Sequence, residues 1–252
     1  WRWNVSVMGS TLKNKVLKLT DNGEDIINGV YIIREGQEIN TFYMSKSAGV
    51  DPTTGEQLYW AYEKNADGSM KPGSEYVTND ATVAAGCKYL QGSRIPDIYG
   101  SISSSLKFRG FDLGLLFTYS LGGKIYDSIY NAMMEPSFVG QTYHRNALRT
   151  WTAPGQRTDV PRTTTTASTQ ITDRYLVDAS YFAVKNISLG YSLPKRLLGK
   201  VGIESLRVYL AADSPWTFTH LKGMNPQASF TGSTSYSYTP NRTFTLGVDL
   251  KF

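Results

Sequence analysis

Few side chains in this 252-residue chain are placed to do covalent or acid–base chemistry. His144 and His220 are the only histidines, and they lie far apart without ligand spacing, which points to loop or surface positions rather than a metal pair. The single cysteine, Cys87, excludes an internal disulfide and a cysteine zinc site, and reads as a small filler. Asp21-Asn22-Gly23-Glu24-Asp25 and Asn65-Ala66-Asp67-Gly68 have the composition of calcium loops but not the full spacing, so they read as turns. No motif frames a serine as a nucleophile. The residues therefore support neither an enzyme nor a bound cofactor. The formal net charge of +5 comes from 26 Lys and Arg scattered among 21 Asp and Glu, with no basic run to grip nucleic acid.

What the sequence does carry is a pattern of strands. Aromatic residues make up 13% of the chain, with 17 Tyr, and no long Ala/Leu/Glu/Lys-rich stretch sustains a helical period. At the end of the chain Phe244, Leu246, Val248, Leu250 and Phe252 share one face, and Thr243, Thr245, Gly247, Asp249 and Lys251 share the other. The same period predicts strands at Trp1–Met8, Ile102–Phe108, Phe111–Ser120, Ala183–Ser192 and Ser205–Asp213, with the phase imperfect at Lys185. Arg109-Gly110 reads as a tight hairpin. Weaker candidates around Ile39–Ser47 and Leu58–Glu63 bring the expected total to about eight strands.

No apolar run reaches the roughly 20 residues that a membrane helix needs, but a membrane strand needs only about 9–11, with every second one facing lipid. The connections are strongly unequal. Those near 64–96, 122–180 and 214–242 are long and polar, and the others are short or moderate. With strands alternating up and down, every long connection falls at one end, as in an outer-membrane barrel with short periplasmic turns and long extracellular loops. The N-terminus, Trp1-Arg2-Trp3-Asn4-Val5, has neither Met nor a signal-peptide core, so the chain reads as part of something longer or processed.

Motifs in order along the chain sharpen this expectation. They are Trp1-Arg2-Trp3-Asn4, Asn14–Leu19, Ala48–Gly55, Ile95-Pro96-Asp97-Ile98-Tyr99-Gly100, Phe108–Leu113, Leu121-Gly122-Gly123-Lys124-Ile125-Tyr126-Asp127, Tyr181–Pro194 and Pro240–Phe252. Over nearly its whole length the chain resembles the C-terminal barrel segment of the SusC/RagA-type TonB-dependent outer-membrane transporters. It departs from them after the penultimate strand, where Asp213-Ser214-Pro215-Trp216-Thr217-Phe218-Thr219 replaces an Asn-Leu-Phe-Thr-like stretch and is expected to form a loop base.

The resemblance implies an all-β transmembrane antiparallel barrel, of which residues 1–252 are the C-terminal part of roughly 22 strands around a plug. It implies nutrient import across the outer membrane of a Gram-negative bacterium, for glycan oligomers or peptides, with this segment supplying wall, closing strand and extracellular loops. The implied partners are the remaining strands and plug, a SusD/RagB-like lipoprotein lid, TonB through the absent N-terminal part, and membrane lipid. Phe244, Leu246, Val248, Leu250 and Phe252 would be the signal read by the barrel-insertion machinery. Trp60, Tyr62, Tyr76, Trp151, Tyr236 and Tyr238, in predicted loops, are candidates for ligand or lid contact, with an interfacial aromatic girdle as the plainer role. The competing reading is a soluble cell-surface β-sandwich that binds ligands with its loops. The two differ in one observable: a wall exposes its apolar faces, and a sandwich buries them between sheets.

Overall fold

The computed structural model describes residues 1–19, 23–135, 140, 142–163, 170–198, 202–221, 226–228 and 241–252. Its strands are β1 (Arg2–Ser10), β2 (Ile26–Asn28), β3 (Tyr31–Ile33), β4 (Thr41–Val50), β5 (Gln57–Ala61), β6 (Tyr76–Thr78) and β7 (Lys88–Ser93), then β8 (Ile98–Phe108), β9 (Phe111–Leu121), β10 (Lys124–Tyr126), β11 (Leu176–Asp178), β12 (Tyr181–Ser192), β13 (Ser205–Thr219) and β14 (Thr243–Lys251). Three short helices interrupt them: α1 (Ala81–Gly86), α2 (Ser128–Met134) and α3 (Lys195–Leu198). Among the described residues, no helix is long and apolar enough to cross a membrane.

Six strands of nine to fifteen residues form one antiparallel sheet, in the order β1-β8-β9-β12-β13-β14. Directly opposed residues in such a ladder point to the same side. One row, Trp3–Leu106–Leu113–Leu189–Leu210–Leu246, therefore crosses every strand on one face. The neighbouring row, Arg2–Lys107–Asp112–Gly190–Tyr209–Gly247, crosses on the other. Apolar side chains dominate one face and polar ones the other, with Ser104 on the apolar side and Leu116 on the polar side as exceptions.

Lys185 is where this segregation needs help. Between Val184 and Asn186, β12 slips register against both neighbours, and on β13 the slip falls at Ser214 and Pro215. The extra residue flips the alternation of β12, so that Phe182 and Val184 rejoin the apolar side occupied by Ile187 and Leu189. Ser214 has a positive φ of 49°, and Pro215 is fully buried. Strand pairing continues beyond the slip, with Trp216 opposite Val184 and Phe218 opposite Phe182. The Asp213–Thr219 stretch is consequently strand and not the expected loop base.

The second sheet revises the expected strand count. The segments predicted at Ile39–Ser47 and Leu58–Glu63 do form strands, but β4 and β5 belong to a separate small sheet ordered β2-β3-β4-β5-β6, with β7 paired to β4. The wall therefore has six described strands rather than about eight, and 11–97 is a single connection carrying its own sheet. β4, at ten residues, is as long as a wall strand but is covered on both faces, and β5 is short, so periodicity could not separate the two sheets. The segregation of connections survives. Those at 11–97, 122–180 and 220–242 lie at one end of the wall, and 109–110 and 193–204 lie at the other.

The buried core lies among the long connections. Phe42 and Met44 of β4 pack with Tyr126, Met134, Val160 and Tyr175, so connections 11–97 and 122–180 share one core. A second cluster, Ile125, Ala179 and Leu221, brings in the third connection. The loops are a packed assembly above the wall.

Candidate functional site

The first functional surface is the apolar face of the wall. On β14, Phe244 is 73% exposed, Leu246 71%, Val248 60% and Leu250 46%. Trp1, Trp3, Val5 and Val7 are likewise exposed at the other edge. Among the described residues, no buried cluster includes any of these. Leaving a six-strand apolar surface open to water costs about 25 cal/mol for each Å² that could be buried, so the surface calls for an apolar surrounding. A sandwich would have buried it.

The face is also banded. Aliphatic rows fill its middle, while Phe108, Phe111 and Tyr191 mark the short-turn end, Phe111 and Tyr191 with ring centroids 4.5 Å apart. Toward the long-connection end stand Phe117, Phe182 and Phe218, with Phe117 stacked on Phe182 at 5.5 Å. Trp3 satisfies its indole N–H by donating to Ser104 Oγ at 2.9 Å. An aliphatic band between aromatic borders matches hydrocarbon between two interfaces.

The opposite face is polar. Arg207 on β13 donates through Nη2 to Asp112 Oδ2 at 2.6 Å and through Nη1 to Asp249 Oδ2 at 3.1 Å. Asn186 donates to Asp213 at 2.7 Å. Glycines clear room for the large groups: a Cβ at Gly190 would lie 2.6 Å from both Arg207 Nη2 and Asp112 Oδ1, and one at Gly247 would collide with the Tyr209 ring. Sequence reading placed Gly247 on the polar face but gave no sign of what covers it, and Gly190 shares that face.

At the junction of wall and loops, two of the recognised motifs meet. Gly122 and Gly123 both have positive φ, 78° and 73°, and a side chain at either would strike Asp97 or the Arg94 carbonyl. Leu121-Gly122-Gly123 is thus shaped to take Ile95-Pro96-Asp97, and Asp97 N donates to Leu121 O at 2.9 Å. A cavity of about 360 Å³ opens here, lined among others by Glu38, Asp97, Lys124 and Asp178.

The two longest connections are stitched together above it. Ser47 N donates to Asp173 Oδ1 at 2.8 Å, and Arg174 pairs with Glu135 at 3.2 Å, where the Tyr175 hydroxyl also donates at 2.8 Å. Burial pushes the Asp173 carboxyl above its usual range, partly offset by the Ser47 N–H and the Lys46 charge, and burial raises the Tyr175 hydroxyl as well. Burial likewise pushes the Tyr31 hydroxyl, packed on Phe42, up to about 12.

The candidate contact aromatics fall in different places. Tyr76 is exposed on the edge strand β6, and Trp60 is half-buried with Lys46 Nζ 5.5 Å from its ring. Tyr62 differs from the expected loop-surface role: it is 8% exposed, donates to Lys88 O at 3.1 Å and packs with Ala61 and Cys87. Trp151 lies across Gly55 and donates from Nε1 to Pro52 O at 3.0 Å, joining the Ala48–Gly55 motif to the second connection. Tyr236 and Tyr238 lie outside the described residues, as do Asp21 and Asn22. His144 caps a short turn by accepting from Asn146 N, and Asp67 closes the Asn65–Gly68 turn by accepting from Ser69 N. Among the described residues, no group of three His, Cys, Asp or Glu side chains is placed to hold a metal.

Comparison with known proteins follows the same outline. No family profile matches the chain. TonB-dependent receptor P3 of Formosa agariphila is 29% identical over 273 residues, covering 99% of this chain and 27% of that protein. TonB-dependent receptor SusC of Bacteroides thetaiotaomicron is 23% identical, covering 99% of this chain and 24% of its own length. Among solved structures, the RagAB peptide transporter superposes with a TM-score of 0.82 at 26% identity, over 99% of this chain and 27% of that one. The RagAB importer in its open-open state superposes with 0.76 at 27% identity. The similarity to SusC- and RagA-type proteins runs along nearly the whole chain, which spans about a quarter of the length of the relatives it matches.

Proposed function

We propose that this SusC/RagA-like chain is the C-terminal part of an outer-membrane, TonB-dependent importer, residues 1–252 supplying wall strands, the closing strand and the extracellular assembly. The single observation that carries the reading is the predominantly apolar face of the six-strand wall, largely exposed and bordered by aromatics. Among the described residues, the outer edges of β1 and β14 have no strand beside them, and lipid cannot satisfy their backbone groups. The rest of a parent barrel completes them, and a plug fills the polar side. Phe244, Leu246, Val248, Leu250 and Phe252 serve both as lipid-facing wall and as the insertion signal.

Substrate is captured at the long-connection end, beneath a SusD/RagB-like lipoprotein, and moves inward when TonB acts on the plug. The cargo is an oligomer, peptide or glycan. The RagAB relatives are named as peptide transporters, which favours peptide. Tyr76 and Trp60 remain candidates for ligand or lid contact, together with Tyr236 and Tyr238. No catalytic step is assigned to the chain. The test is uptake by intact cells carrying the parent transporter. Labelled oligopeptides should accumulate only when TonB is present, and accumulation of neither peptides nor glycan oligomers would overturn the reading.

A further inference from the structure

The short-turn end of the wall carries charge that the mechanism above does not use. Its two connections touch: Ser192 N donates to Gly110 O at 2.8 Å, and a Cβ at Gly110 would lie 3.1 Å from the Tyr191 ring. Arg109 sits at the tip of one, with φ of 46°, and Lys195 and Arg196 begin α3 in the other. All three side chains are exposed, and among the described residues none makes an ion pair. The nearby carboxylates are already engaged, Asp112 and Asp249 by Arg207 and Glu204 by Lys251.

Arg109 stands beside the apolar face, and Lys195 and Arg196 follow shortly after Ser192, which is bonded to the Arg109-Gly110 turn. The Arg109 guanidinium lies 5.3 Å from the Phe108 ring, at the end of the Phe108–Phe111–Tyr191 row, and Leu197 next to Arg196 is exposed. Long basic side chains that rest their stems on apolar surface and raise their charge at its border are suited to phosphate at a hydrocarbon edge. We infer that Arg109, Lys195 and Arg196 form a docking site for the headgroup of an anionic glycerophospholipid, with its acyl chains against Phe108, Phe111 and Tyr191. The inference rests on the membrane reading proposed above. Charge complementarity and continuity with the hydrocarbon-facing rows select this occupant over a soluble anion.

The test uses the complete parent transporter, purified in a mild detergent and exposed to phosphatidylglycerol or phosphatidylcholine, with retained lipid counted by native mass spectrometry. A variant carrying Arg109→Asn, Lys195→Gln and Arg196→Gln is compared with the parent; asparagine suits the left-handed backbone at 109. Each cation removed should weaken phosphatidylglycerol retention about fivefold, leaving phosphatidylcholine unchanged. The charge-conserving variant, Arg109→Lys with Arg196→Lys, should keep most of it. Equal phosphatidylglycerol retention by parent and neutral variant would overturn the site, and so would full competition by inorganic phosphate, which would make it a soluble-anion site. Fractionation of the parent with outer membranes is scored separately, and its failure would instead overturn the membrane reading.

Discussion

The Arg207 guanidinium reaches over Gly190 to hold Asp112 from two strands away, with Nη2–Oδ2 at 2.6 Å and Nε–Oδ1 at 3.0 Å. It ties β13 to β9 across β12 on the polar face, and it requires that β12 put nothing in the way. A paired guanidinium fork of this kind gives direction as well as attraction.

Gly190→Val should therefore break the bridge. Overpacking of a close site costs typically about 1–3 kcal/mol, and here the added atoms fall where a Cβ would already be 2.6 Å from both partners. The expected outcome is a lower temperature for the heat-induced mobility shift of the parent barrel. An equal shift for Arg207→Ala and for the double variant would show that the two act through one contact; additive shifts would separate them.

Deleting Lys185 should be more damaging than replacing it. Without the extra residue, Phe182 and Val184 on β12 turn to the polar side while Phe218, opposite Phe182, and Phe117 and Trp216, opposite Val184, stay outward. Lys185→Ala keeps the slip and should fold normally. The measurement is the fraction of barrel protected from protease in outer-membrane fractions, near zero for the deletion and near parental for the alanine variant.

Trp151→Ala should loosen the loop assembly without touching the wall. The half-buried indole closes the Pro52–Gly55 turn, and its loss is expected to cost roughly 2 kcal/mol, less than a fully buried tryptophan. Gly55→Ala should act in the same direction, since φ there is 74° and any Cβ strikes the indole. Hydrogen exchange should quicken at 150–162 and in β5, and stay slow in β9 and β12.

Asp173 gives the assembly a pH dependence of definite sign. Its carboxyl is raised by burial, so between the ordinary carboxylate range and the raised value the folded chain holds a proton that the unfolded chain has lost. Stability from this group is present at low pH and is lost as pH rises through the folded value. Asp173→Asn keeps an oxygen to accept from Ser47 N and removes the charge. It should raise the unfolding midpoint of the loop assembly at neutral pH and remove the slope on the acid side, as read by exchange or protease susceptibility across pH.

Much of the wall was legible because a sheet with one apolar and one polar face imposes a two-residue period on Phe244–Phe252 and on Phe111–Tyr119. Even the blemish at Lys185 was visible, as a break in phase that the structure resolves into a bulge. The loop assembly was less legible. β4 and β5 read as wall strands because a strand in a small mixed core has no marker of which sheet it joins, and β4 at ten residues is as long as a wall strand. Tyr62 and Trp151 looked like surface aromatics because only distant residues, Lys88 and Pro52, decide where their polar atoms go. The Asp97–Gly122 fit and the Arg207–Gly190–Asp112 bridge likewise depend on registers between strands far apart in sequence.

The central claim, that every second side chain of the wall faces hydrocarbon, is tested most directly by spin labels at consecutive positions of β14 in the parent transporter, in lipid bilayers and with Cys87 replaced by serine. Labels at 244, 246, 248 and 250 should collide readily with oxygen and poorly with a water-soluble nickel chelate, and labels at 243, 245, 247 and 249 should do the reverse. Absence of that alternation, with 244 to 250 shielded from both reagents, would contradict the account.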